Sequence, residues 1–201
     1  MDAIAPIVLE GRAVRLEPLS LDHVDALCRV GLDAGLWQWT LDTIVTREQM
    51  HAYVAEALEA RRAGTALPFV TIERGSAEVV GSTRFGNIEP AHRRLEIGWT
   101  WIGRPWQRTA VNTEAKLLML RHAFEDLAML RVELKTDALN ARSRAAISRI
   151  GGREEGVLRR HMITASGRSR DTVYYSILAE EWPDVRTRLE SRLHSRRDVA
   201  G

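Results

Sequence analysis

The chain has 201 residues, 45% of them hydrophobic and 28% charged, with a net charge of +2. That balance suits one folded domain with a sizeable core and excludes a disordered or fibrous chain. No apolar run approaches the length a bilayer span needs, and a single cysteine, Cys28, rules out an internal disulfide and fits a reducing cytoplasm. Nearly all the basic residues are arginine, Lys116 and Lys135 being the exceptions. They are interleaved with acids except in short pairs such as Arg159-Arg160 and Arg196-Arg197, unlike the clustered basic stripe of a nucleic-acid binder. The N-terminus carries no basic region and meets Glu10 early, so no signal peptide is expected.

Residues 1–11 read as an irregular lead-in. Arg12 to Glu17 alternates and predicts a first strand, ended by Pro18. Ser20 is a suitable N-cap for a helix with Val24, Leu27, Cys28 and Leu32 on one face. An aromatic loop, Leu36 to Leu41, precedes Thr46 and Gln49, a capping box that opens a helix to about Arg62. Gly64 closes it. Strands follow at about 67–73 and 78–86, divided by the turn Arg74-Gly75-Ser76, and Pro90 ends the second. Leu95 to Ile102 alternates as a further strand and leads through Gly103 and Pro105 into a helix carrying Leu117, Leu120, Phe124 and Leu127 on one face. Leu130 to Thr136 predicts a strand and Asn140 starts a helix to about Ile150, stopped by Gly151-Gly152. Strands near 153–162 and 171–178 flank the turn Ala165-Ser166-Gly167. A last helix from about Ala179 passes Trp182 and Leu189, and the Arg-rich tail after His194 is expected to fray. The order β-α-α-β-β-β-α-β-α-β-β-α argues for one mixed α/β sheet flanked by helices.

The strand–loop–helix from Leu95 to Leu127 organises the rest. Its loop brings backbone N–H groups and Arg108 to a helix N-terminus, which favours an anion such as a phosphate. The loop Gln107-Arg108-Thr109-Ala110-Val111-Asn112 resembles the pyrophosphate-binding Q/R-x-x-G-x-G/A motif of the GCN5-related N-acetyltransferases (GNAT), with Ala110 and Asn112 standing where that family has Gly and Gly or Ala. Ala is tolerable there on right-handed backbone, and Asn112 is a suitable N-cap for the following helix. The segment Val132 to Ser143, with Asn140 and Ser143 in N-x-x-S spacing, resembles the RimJ/RimL-like branch, which acetylates ribosomal-protein N-termini. Arg149 to Gly152 with Glu155-Gly156, and Gly167 to Tyr175, fit the same branch. The resemblance covers most of residues 10–182 and treats 1–201 as one domain, with the C-terminal helix and tail at 183–201. It implies the GNAT acyl-CoA N-acyltransferase fold, a mostly antiparallel central sheet flanked by helices.

The resemblance further implies direct acetyl transfer from acetyl-CoA to a primary amine in a ternary complex, in the cytoplasm. The backbone at Gln107, Arg108, Thr109, Ala110, Val111 and Asn112 would hold the pyrophosphate. The free strand edge from Trp99 through Trp101 to Ile102 would pair with the pantetheine amides, with an N–H aimed at the thioester oxygen, and Asn140 would contact the same arm. Glu96 is the implied general base, and Ser143 sits near the CoA sulfur. On the expected strand, Glu96 shares a face with Gly98 and Thr100, while Leu95, Ile97, Trp99 and Trp101 take the other. A plainer reading pairs Glu96 with Arg93, Arg94 or Arg84. His161 is an alternative base, on a strand where some members carry a carboxylate. Trp37, Trp39, Arg84 and Asn87 are candidates for the acceptor site, the two tryptophans serving equally well as packing between helices. No metal cluster is expected. The acceptor is a protein or peptide α-amine first, a small-molecule amine second and a protein lysine third. The branch suggests a homodimer and no membrane or nucleic-acid partner. A non-catalytic acyl-CoA-binding regulator with the same fold is the alternative reading.

Overall fold

The computed structural model describes residues 4–195. Eight strands form one sheet: β1 (Leu9–Glu10), β2 (Val14–Pro18), β3 (Leu67–Glu73), β4 (Val79–Glu89), β5 (Arg94–Ile102), β6 (Arg131–Asp137), β7 (Arg153–Ile163) and β8 (Ser169–Leu178). Their spatial order is β1-β2-β3-β4-β5-β6-β8-β7. Every neighbouring pair is antiparallel except β5 and β6. That exception follows from the helix joining them, since a parallel pair needs a crossover connection. Five helices complete the fold: α1 (Val24–Gly31), α2 (Arg47–Arg62), α3 (Ala110–Arg121), α4 (Ala141–Arg149) and α5 (Trp182–Ser195). The predicted order holds, with the two-residue β1 added inside the lead-in. The tail beyond Ser195, where fraying was expected, lies outside the described residues.

Two cores sit on opposite faces of the sheet. On one, α3 and α5 cover Phe85, Leu95, Ile97, Val132, Leu134, Tyr175 and Ile177. On the other, α1 and α2 cover the N-terminal strands through Leu27, Met50, Val54, Val70 and Trp101. The capping box at Thr46 and Gln49 opens α2 as expected. Ser20 caps a short 3-10 turn that leads into α1, so its cap is one turn earlier than α1 proper. α3 is pinned at its second turn by Glu114, a buried carboxylate that accepts hydrogen bonds from the Ala13 and Val14 N–H groups at 2.6 and 2.9 Å. Its last turn widens into a π-turn at His122–Asp126, which carries the partly buried Phe124 and Leu127 against the same core.

The consequence for function lies in the C-terminal half of the sheet. α1 and α2 pack mainly on the N-terminal strands, and beyond them Glu96, Lys135, Asp137, Arg170, Thr172 and Tyr174 share the same sheet face by register. The tip of the β7–β8 hairpin reaches across to the α1–α2 loop, where the Ala165 N–H donates to the Leu41 carbonyl at 2.7 Å. Hairpin tip and loop thereby close over one end of this face, where a small cavity is lined by Ala34, Trp37, Thr40, Thr43, Thr164 and Ser166.

Candidate active site

β5 and β6 pair only over Arg94–Glu96 and Arg131–Glu133. Beyond Glu96 the strands part, because β6 stays with β8 while β5 follows β4. The β5 edge from Ile97 to Ile102 has no β6 partner, so the backbone groups there that are not already bonded within the fold, as the Trp99 and Ile102 carbonyls are by Tyr53 and Gln107, are available to an extended ligand. The separation coincides with a bulge. Trp99 has φ +49, and the β4–β5 register shifts between Ser82 and Arg84. An extra residue on one strand turns the following side chains over.

That bulge corrects the expected alternation on β5. Trp99 lies on the same face as Glu96, where a Cβ on Gly86 would come within 2.3 Å of its ring. Trp101 follows onto that face and packs against Trp37, with ring centroids 5.3 Å apart. Thr100 turns to the opposite face. There its hydroxyl meets Thr83 Oγ1 at 2.7 Å and accepts from Lys116 Nζ at 2.6 Å. Lys116 is fully enclosed, and burial pulls its pKa down to about 7.

Glu96 is 2% exposed. Its Oε2 accepts from Asn87 Nδ2 at 2.7 Å and pairs with Lys135 Nζ at 2.8 Å. The arginines suggested as its partners are engaged elsewhere. Arg93 donates to the Ala128 carbonyl, Arg94 pairs with Glu133, and Arg84 lies between two aromatic rings. Both bonds fall on Oε2, leaving Oε1 turned toward Gly98, where a Cβ would come within 2.6 Å of it. Glycine at 98 is therefore the room in front of the carboxylate. Lys135 also sits over the Trp99 and Tyr174 rings, at 5.7 and 5.9 Å. His161 packs edge-on against Tyr174 at 5.8 Å. A bulge at Arg160, φ +49, brings it there. The two side chains weighed as base thus share one contiguous cluster.

The loop ahead of α3 differs in one detail from expectation. Thr109, not Asn112, caps the helix: its hydroxyl accepts from the Val111 N–H at 3.3 Å and donates to the Trp106 carbonyl at 2.7 Å. Asn112 is the third helical residue. Thr109 takes the cap after a left-handed residue, Arg108, at φ +65, so the helix opens three residues earlier than a cap at Asn112 would give. Ala110 lies within the helix, on right-handed backbone where no glycine is needed. Gln107 ties the loop down, donating to the Ile102 carbonyl at 2.8 Å and accepting from Arg142 at 2.8 Å. First-turn N–H groups of a helix have no intrahelical partner, and the buried Asn112 Oδ1 has none either. A side-chain amide is assigned only up to a flip, so Asn112 can present N–H instead. Donors, dipole and Arg108 fit a pyrophosphate.

At the head of α4, Asn140 is the N-cap, its Oδ1 accepting from the Ser143 N–H at 3.0 Å. Its Nδ2 remains to donate. Trp37 is 4% exposed and donates from Nε1 to the Gly31 carbonyl, so it is a packing residue under the α1–α2 corner. Trp39 lies beneath the hairpin, with the Arg168 guanidinium 5.7 Å from its ring. Arg84 and Asn87 both reach the Glu96 face. Lys135, Tyr53, Tyr174 and Arg170 belong to the same surroundings and went unremarked in the sequence. The signal was there: Glu133, Lys135 and Asp137 alternate on β6, as do Arg170, Thr172, Tyr174 and Ser176 on β8, which marks a polar face on interior strands. Among the described residues no group of three or more His, Cys, Asp or Glu could hold a metal, and no helix is long and apolar enough to cross a membrane.

The family model for the acetyltransferase (GNAT) domain matches residues 13–153, and the chain belongs to that family. A crystal structure of a GCN5-related N-acetyltransferase from Brucella melitensis is 32% identical, with a TM-score of 0.88 over 96% of this chain and 87% of that one. RimJ of Mycobacterium smegmatis, solved in complex with CoA-disulfide, is 27% identical with a TM-score of 0.81, covering 93% and 95% of the two chains. YdaF of Bacillus subtilis, named as a candidate ribosomal N-acetyltransferase, is 35% identical over 102 residues, 51% of this chain and 55% of its own length. The match thus spans little more than half of that curated relative.

Proposed function

We propose that this protein transfers the acetyl group of acetyl-CoA directly to a primary amine, with a protein or peptide α-amine as the leading acceptor. The observation that carries this reading is the gap between β5 and β6, which runs from the α3 N-terminus to the buried Glu96 carboxylate. Thr109 to Asn112 and Arg108 would hold the pyrophosphate, the Ile97–Ile102 edge and Asn140 the pantetheine arm. Acetyl-CoA supplies an activated acetyl thioester. The relation to RimJ of Mycobacterium smegmatis, solved with CoA-disulfide, supports the cofactor.

The residues on the Glu96 face prepare the amine. Only its neutral form attacks, and roughly 10–15% of an α-amine near pKa 7.8 is neutral at pH 7, against about 0.04% of a lysine. An α-amine therefore needs a modest base. Glu96 offers the free Oε1 while Asn87 and Lys135 hold Oε2, so the carboxylate stays fixed and one oxygen faces the gap, in reach of an amine directly or through one water. As the new C–N bond formed and the C–S bond broke, the amine would give up a proton to Glu96, and the departing thiolate would take one from water, with Ser143 positioning the sulfur end.

Thiol release from acetyl-CoA across a panel of peptides and small amines tests this. Glu96→Gln should lower turnover about a hundredfold or more at neutral pH while calorimetric binding of CoA is unchanged. Undiminished turnover in that variant would remove Glu96 as the base. Binding of CoA with no acceptor consumed would favour a non-catalytic acyl-CoA-binding regulator.

A further inference from the structure

The charges on the Glu96 face do not balance. Asp137 is 1% exposed and is taken by Arg168 and by the Leu139 N–H. Glu96 is taken by Lys135. Two further guanidinium groups are buried there with no carboxylate of their own. Arg84, 3% exposed, has its guanidinium carbon 5.0 Å from the Tyr53 ring and 4.9 Å from the Trp99 ring. Arg170, 6% exposed, lies along β8 past Tyr174, close enough to feel Asp137 and Glu96. The Nε of each is buried without a hydrogen-bond partner. Neither forms an ion pair with a described residue, although fourteen arginine– or lysine–carboxylate pairs occur among those residues.

An enclosed cation without a counter-ion is costly, and a guanidinium cannot shed its charge as a lysine can. The aromatic sandwich offsets part of the cost for Arg84. It does so through the flat faces of the ion and leaves the in-plane N–H groups for something else. Burial pulls the Arg170 pKa down, the mark of a cation held without adequate compensation. Both cations lie on the sheet face of Glu96, Arg84 by its register on β4 and Arg170 within electrostatic reach.

We propose that Arg84 and Arg170 form an anion-binding subsite in the acceptor cleft, so that the amine acetylated here carries a carboxylate of its own beside the amino group. The inference rests on the acetyl-transfer reading and narrows its acceptor. Planar guanidinium N–H groups match a carboxylate in two-point fashion. The anion would complete the ion pairs that the fold leaves open, while Glu96 on the same face receives the amine. A free amino acid and a peptide whose second residue is acidic both offer this chemistry.

Matched acceptors distinguish these sources and test the idea. One arm compares amino acids with their α-amides. The other compares dipeptide amides that carry Asp or Glu second with the same dipeptides carrying Asn or Gln. In the wild-type protein the carboxylate member of at least one arm should show a kcat/KM roughly ten- to hundredfold above its neutral twin, mostly through KM. Arg84→Gln or Arg170→Gln should bring that ratio toward one, with Arg84→Lys retaining part of it, while calorimetric CoA binding verifies that each variant is folded. A ratio near one in both arms overturns the subsite, as does a ratio that neither substitution changes. If the neutral twins are acetylated as well as the acids, the transferase reading stands and the subsite falls. If no amine in either arm consumes acetyl-CoA, both fall together.

Discussion

Replacing Lys116 by methionine should make the protein more stable, and the gain should fade as the pH rises. Lys116 Nζ is fully enclosed between α3 and β5, donates to Thr100 and Thr83, and has no carboxylate in ion-pair contact. Its folded pKa of about 7 lies well below the ordinary 10.5. The unfolded chain therefore binds more protons than the folded one between these values, so stability rises with pH across that window and is at its lowest below it. The cost of placing a lysine here is about 4 kcal/mol at pH 7, about 3 at pH 8 and about 1 at pH 10, falling by roughly 1.3 kcal/mol per pH unit in between. The hydroxyls it leaves behind still bond to one another, and Thr100 reaches the Gly98 carbonyl at 3.3 Å. Methionine of similar length should therefore leave no unsatisfied group. Urea unfolding of both proteins from pH 7 to 10 measures the difference directly, and other titrating groups cancel in it. A gap between the two that is the same at every pH would refute the reasoning, since Lys116 would then be charged in the folded protein.

Glu114→Ala removes the acceptor of two backbone N–H groups and should cost about 2–4 kcal/mol by the same unfolding measurement, whereas Glu114→Gln, which keeps one acceptor oxygen, should cost less. Gly86→Ala places a methyl 2.3 Å from the Trp99 ring, so it should displace that ring from Arg84 and Lys135. The expected readout is a changed tryptophan emission and a raised acceptor KM, with CoA binding retained. Gly98→Ala crowds Glu96 Oε1, at 2.6 Å. It should lower kcat at least tenfold; an unaltered kcat would show that Oε1 is not the oxygen facing the amine.

Much of the fold was written locally. The capping box at Thr46 and Gln49, the Gly151 stop and the alternation of β6 and β8 are short-range signals, and each predicted element appears near its expected bounds. The loop before α3 could be placed, but its cap could not. The choice between Thr109 and Asn112 goes with the φ at Arg108, which a non-glycine residue does not announce. The face of Trp99 was misplaced for a related reason. The sequence alternates from Leu95 to Ile102, and a bulge at a tryptophan leaves no trace in composition, since the extra residue shows only in the pairing of β5 with β4. Lys135 as the Glu96 partner was equally out of reach, because it is set by the parallel register of β5 on β6, a contact between segments nearly forty residues apart.

The bulge and the gap have a common origin. A β5 strand without an extra residue would place Thr100 on the Glu96 face and send Trp99 toward α3, where Lys116 and Met119 already fill the space. Inserting one residue at Trp99 puts the large ring on the Glu96 face instead, where it forms one wall around Arg84 and covers Lys135. The same insertion increases the local twist, which turns the end of β5 away from β6 just past the last paired residue, Glu96. A single backbone irregularity thus opens the edge that an extended ligand arm can occupy, stops the opening at a fixed carboxylate, and supplies the aromatic wall of the space beyond. The glycines at 86 and 98 are what this arrangement requires on either side, one clearing the ring and the other clearing the carboxylate.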